Sequence, residues 1–124
     1  MSDDPLRGHR ELEVWQRAVD LTTLAYKLAG KLPRSERSAL AGQIRRCAAS
    51  IPANIAEGSG RLYPKEFVRH VSVARGSLME LDAHLEVAVR AGMLSAADRQ
   101  PALALIDRVG RMLTALAKAI ALRV

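Results

Sequence analysis

The chain has 124 residues, the size of a single domain, and 49% of them are hydrophobic while only 3% are aromatic. Its core must therefore be built from Leu, Val, Ile and Ala, and because strand formers never alternate, an all-α fold is predicted. A net charge of +6 favours anionic partners without naming one, and the lone Cys47 excludes an intramolecular disulfide.

Residues 1–10 carry Pro5, Gly8 and several polar groups, so they read as a flexible N-terminal tail. Met1-Ser-Asp-Asp-Pro-Leu is acidic and polar, unlike a signal peptide, and no apolar run is long enough to span a bilayer. With a single cysteine, these features predict a cytoplasmic protein with no membrane contact.

Residues 11–124 are predicted to form one bundle. The first helix is expected over 11–31, where Val14, Ala18, Leu21, Ala25, Leu28 and Leu32 recur at steps of three and four. A second row, Leu12, Trp15, Val19 and Tyr26, makes its apolar face wider than one core seam needs. Leu32-Pro33-Arg34 breaks the helix, and Ser35 is expected to cap a second helix over 35–59. There Leu40, Ile44, Cys47, Ile51 and Ile55 form the stripe. Pro52 takes away the N–H that would bond the Ala48 carbonyl, so a kink is expected, and Gly58 and Gly60 are expected to stop the helix.

Pro64 suits the first turn of a third helix over 64–91. Phe67, Val71, Ala74, Leu78, Leu81, Leu85 and Ala88 follow a strict four-three alternation there, and Gly92 ends it. Ser95 with Asp98 is a capping signature for a fourth helix over 95–122, with Pro101 expected to delay its start or kink its first turn. That helix carries Ile106, Val109, Leu113, Leu116 and Ile120, and a second row that includes Leu105 and Met112. Short linkers make successive helices antiparallel neighbours, so an up-down-up-down four-helix bundle is expected. Leu12, Trp15, Val19, Tyr26, Leu105 and Met112 exceed one core, which points to a homo-oligomer joined through the outer faces of the first and fourth helices.

Chemistry-bearing residues are sparse. Glu66 with His70 and Glu80 with His84 are pairs four apart on one helix, but no other helix supplies matching inward histidines, so they read as surface pairs, and no metal or cofactor is expected. Cys47 lies on an apolar stripe and reads as a small buried residue rather than a nucleophile. Gly58-Ser59-Gly60-Arg61 follows no strand and is not a phosphate loop. The chain is thus predicted not to be an enzyme. On the second helix, Gln43, Arg46, Ser50, Asn54, Glu57 and Arg61 fall on one arc beside the apolar stripe. They read as a structural network in which Arg46 and Glu57 satisfy each other or groups on another helix; a recognition surface is the alternative. Candidate phosphate contacts are Arg45, Arg61, Lys65, Arg69, Arg108, Arg111 and Lys118, although Glu57 and Glu66 dilute the patch.

The string Gln43-Ile-Arg-Arg-Cys-Ala-Ala-Ser-Ile-Pro-Ala-Asn-Ile-Ala-Glu-Gly-Ser-Gly-Arg61 resembles the four-helix-bundle proteins encoded in bacterial ribosomal-RNA intervening sequences. Leu12-Glu-Val-Trp-Gln-Arg-Ala18, Leu32-Pro33 with Glu36, and Ala74-Arg-Gly-Ser-Leu-Met-Glu-Leu81 extend the resemblance to about residues 11–120. It implies a ring-like homopentamer. It also implies kinship with the accessory variability protein of diversity-generating retroelements, a basic pentamer that engages reverse transcriptase and nucleic acid. The expected function is a non-enzymatic oligomeric adaptor whose basic surface meets RNA, DNA or a reverse-transcriptase-like enzyme. The alternative is a purely protein-binding scaffold. Leu62-Tyr63-Pro64, where relatives have a small capping residue, and Cys47, where Ala is common, depart from the family pattern.

Overall fold

The computed structural model describes residues 8–122. Among them lie four helices and no strand: α1 (Glu13–Ala29), α2 (Leu40–Ser59), α3 (Pro64–Arg90) and α4 (Ala96–Ala121). Helix α1 packs against α2 and α4, and α3 packs against the same two, so the four enclose one core. The helical stripes point into it. Leu21, Ala25, Ile44, Ile51, Ile55, Leu78, Leu81, Leu85, Leu113 and Ile120 are fully buried. Each such Leu or Ile contributes about 1.5–3 kcal/mol through burial, which is how an almost purely aliphatic core holds.

The helix ends differ from expectation in three places. Residues 1–7 of the expected tail lie outside the described residues, but His9–Glu11 form a 3-10 turn. The His9 ring meets Trp15 edge-on with centroids 4.9 Å apart, and the Arg10 guanidinium lies 5.5 Å from the Trp15 centroid. Leu12 is extended between that turn and α1, and its side chain plugs the core at 1% exposure. Second, α2 begins at Leu40, not at Ser35. Pro33 leads into a 3-10 turn at Arg34–Glu36, and Ala39, at φ −102° and ψ −110°, interrupts the helical path. Glu36 does the capping instead, its Oε1 accepting from the Leu40 N–H at 3.2 Å. Third, Gly58 stays inside α2, which ends at Ser59 with Gly60 as its C-cap.

The fourth helix starts where its cap predicts: Ser95 accepts from the Asp98 N–H at 2.9 Å and α4 begins at Ala96, so Pro101 does not delay the start and lies inside the helix. Gly92 takes the left-handed φ of +77° that closes α3, and the Met93 N–H then reaches back to the Ala88 carbonyl at 2.9 Å. Pro52 sits within α2, and the carbonyl it leaves without an intrahelical donor is served from α1. Thr22 Oγ1 lies 2.9 Å from the Ala48 oxygen, and also 2.9 Å from its own Ala18 oxygen, sharing one proton between them.

Candidate functional site

Two features stand out from the apolar core: a polar seam between α2 and α3, and a basic groove between α3 and α4. The seam begins where Ser50 Oγ and Ser77 Oγ meet at 2.8 Å across the two helices. Asn54, one turn on, donates Nδ2–H to the Ser50 carbonyl at 2.9 Å and lies 3.0 Å from Ser50 Oγ. A carbonyl can only accept, so that contact fixes the amide, and Asn54 Oδ1 must face His70 Nδ1 at 3.1 Å. Nδ1 therefore carries the proton it donates. His70 Nε2 is sealed from solvent with no hydrogen-bond partner, 3.8 Å from Glu57 Oε2. Glu57 in turn pairs with Arg61, and Arg61 reaches Glu66 at 3.8 Å. The Arg61 guanidinium bound to it holds the Glu57 carboxyl below the usual carboxylate range.

The seam corrects two expectations. Arg46 and Glu57 do not satisfy each other; Gln43 and Arg46 are exposed and stand outside the network, because only the Ser50–Asn54 side of the arc faces α3. Nor is His70 a surface partner of Glu66. It is 6% exposed, turned toward α2, seven residues before the equally inward Ser77. Gly58 explains the close approach: a Cβ there would lie 2.8 Å from His70 Cβ and 2.9 Å from Phe67 Cδ1. The positions 70 and 77 border the apolar stripe of α3 at heptad spacing, a signal that could have paired them with the arc on α2.

Cys47 is buried, as read. Burial, reinforced by the nearby Glu80 charge, pushes its thiol up to about 11, and Sγ points to the Ile44 carbonyl at 3.6 Å. Among the described residues no three His, Cys, Asp or Glu side chains group as metal ligands.

The basic candidates divide by partner. Arg61 is held by Glu57 and Glu66, Arg108 by Glu13, and Arg111 by Asp107 at 3.0 Å. Arg45 stacks over Tyr26, 6.0 Å from its centroid. Lys65, Arg69 and Lys118 are exposed and form no ion pair among the described residues, and neither does Arg75, which sequence reasoning passed over. Arg75 and Thr114 line both of two adjoining recesses between α3 and α4, of about 240 and 620 Å³. Lys118 borders the smaller, beside Val68 and Ser72, and Arg111 borders the larger, with Asp82 and Asp107 toward its far end.

The model of the 23S rRNA-intervening sequence protein family matches residues 10–115. The chain belongs to that family. Among curated proteins, none matches it. The family match spans α1, α2, α3 and most of α4, and so contains both the polar seam and most of the groove.

Within this family member, the expected oligomer residues are partly spent on the fold. Leu12 is core, and Trp15, Leu105 and Met112 pack against the core while half-buried. Val19 is half-buried and Tyr26 is 47% exposed beneath Arg45. His9 and Arg10 of the 3-10 turn lie against Trp15, which leaves less of the α1 row open than the two rows suggested. What remains between α1 and α4 is a recess of about 220 Å³ lined by Leu12, Met112, Ala115 and Ala119. Exposed apolar groups lie instead on α3, at Val73, Met79 and Val87, and in the turn before it, at Leu62 and Tyr63.

Proposed function

We propose that this chain is a non-enzymatic, cytoplasmic adaptor that assembles with copies of itself and meets nucleic acid, or an enzyme of nucleic acid, through the basic side of α3 and α4. The observation that carries this reading is the set of exposed cations, Lys65, Arg69, Arg75 and Lys118, that form no ion pair among the described residues. Phosphate contacts need only such free cations. Up-down-up-down helices fit the contacts between elements: Lys31 beyond α1 meets Asp98 at the start of α4, and Glu13 at the start of α1 meets Arg108 further along it. No helix of the described residues is long and apolar enough to cross a membrane.

The non-enzymatic part rests on how the reactive groups are occupied. Cys47 is buried with a raised thiol pKa, His70 is tied to Asn54, and His9 packs on Trp15. The ring-like pentamer implied by the family rests on the α1–α4 recess and the exposed apolar groups of α3. A purely protein-binding scaffold is the second reading, favoured by the exposed apolar side chains Val73 and Val87 of α3. Titration of the purified chain into labelled RNA and DNA between 50 and 200 mM salt separates the two. Binding that weakens steeply with salt supports the adaptor, and no detectable binding at the low-salt end leaves the scaffold. Sedimentation at micromolar concentration should give a multiple of 13.5 kDa; a clean monomer removes the assembly.

A further inference from the structure

We infer that the groove between α3 and α4 is the track of a single-stranded nucleic acid, entered at Tyr63; this deepens, and rests on, the adaptor reading above. The cations alternate across it. Lys118 on α4, Arg75 on α3 and Arg111 on α4 follow one another along the two adjoining recesses, with Arg111 and Lys118 seven residues, or about 10 Å, apart along their helix. Lys65 stands one and two turns before Val68 and Ser72, which line the smaller recess, so it guards the same end as Lys118. The Ser72 hydroxyl is exposed there and bonds to no other group among the described residues.

Stacking selects the strand. The two recesses, of about 240 and 620 Å³, follow one another between two helices, and the bases of an unpaired strand, unlike those of a duplex, are free to offer a face to an aromatic side chain. The aromatic needed for stacking sits at the cationic end. Tyr63 is 66% exposed as the residue capping α3, two positions before Lys65, and its ring offers a face to a base of any identity. Tyr26, the other exposed aromatic, lies on α1 and is covered by Arg45. Acids set a direction. Asp82 and Asp107 border the far end of the larger recess, where Asp107 already holds Arg111, while Glu66 beside Lys65 is faced by Arg61 at 3.8 Å, so the attractive stretch runs from Tyr63 to Arg75 and fades beyond it. The exposed Leu62 beside Tyr63 widens the apolar platform.

The test is fluorescence anisotropy of a labelled twelve-nucleotide oligo-uridine and of a blunt RNA duplex of equal length, across 50–200 mM salt. The wild-type chain should prefer the single strand. The double variant Arg75→Gln, Lys118→Gln changes only exposed side chains; it should lose at least tenfold in affinity and flatten the slope of log K against log salt by about 1.4. Tyr63→Ala should weaken binding roughly five- to hundredfold while leaving the slope unchanged. Wild-type binding with both variants unaffected, or a duplex bound as well as the strand, overturns the groove and spares the adaptor. A wild-type chain that binds neither RNA at 50 mM salt overturns both. A melting curve of each variant matching wild type shows that affinity, not folding, has changed.

Discussion

Glycine at two positions separates spacing from flexibility. Gly58 faces α3, where a methyl group would press into His70 and Phe67; Gly76 faces open space on the outside of α3. Gly58→Ala should therefore destabilise the fold by about 1–3 kcal/mol, because neither the imidazole held by Asn54 nor the buried Phe67 has room to retreat. Gly76→Ala should stabilise it by about 0.5–1 kcal/mol, since a helix-interior glycine costs backbone entropy and nothing blocks the Cβ. Urea midpoints of the two variants, moving in opposite directions, check both at once; a neutral Gly58→Ala would mean that α2 and α3 can part without loss. The sequence shows only that both are glycines. Gly58 reads as a helix stop because Gly60 follows it, and nothing along one chain reveals what stands opposite. His70 is missed for the same reason: Glu66 four residues before it offers a local partner, while the actual partner is Asn54 on another helix.

The legible part lies in the elements whose determinants are local. The stripe of α3, from Phe67 to Ala88, is buried at every expected position, because a four-three alternation can satisfy only one helix face. Ser95 and Gly92 also do as their chemistry requires. The start of α2 is less legible: Ser35 could cap a helix, but Pro33 and the break at Ala39 delay it, and the cap passes to Glu36. Pro52 shows a determinant shared between elements. It predicts an Ala48 carbonyl without an intrahelical donor, but not that Thr22 of α1 would supply one. Thr22→Val should then cost about 1–3 kcal/mol, as the buried carbonyl loses its donor, whereas Thr22→Ser should cost far less. Pro52→Ala restores an N–H at position 52, so the penalty of Thr22→Val should shrink in that background. A double-mutant cycle by chemical denaturation measures the coupling, and additive effects would show that the hydroxyl serves only Ala18.

At the scale of the whole molecule, ion pairs join the ends of elements that the core stripes do not reach. Glu86 on α3 is held by Arg90 on its own helix and by Arg99 on α4; Asp98, in the first turn of α4, is held by Lys31 beyond α1 and by Ser95. These contacts keep both carboxyls below their usual values of 4.5 and 3.8, the Arg90 and Arg99 hydrogen bonds leading for Glu86 and the Lys31 bond for Asp98. A carboxyl depressed in the folded state adds stability that is complete above its unfolded pKa and disappears as pH falls through its folded pKa. Stability should accordingly be flat from neutrality to about pH 5 and decline below the ordinary carboxylate range. The double variant Glu86→Gln, Asp98→Asn should be less stable at pH 7, and its acid decline should be shallower, since two of the groups that take up protons on unfolding are gone. Both carboxylates stay open to solvent, at 41% for Glu86 and 40% for Asp98, although Arg99 is largely buried, so 1 M salt should narrow the gap between variant and wild type at pH 7. Thermal melts from pH 3 to pH 7 at low and high salt read each of these changes. An acid arm of equal steepness in variant and wild type would move the acid sensitivity elsewhere, with Glu57 against Arg61 and His70 as the next pair to test.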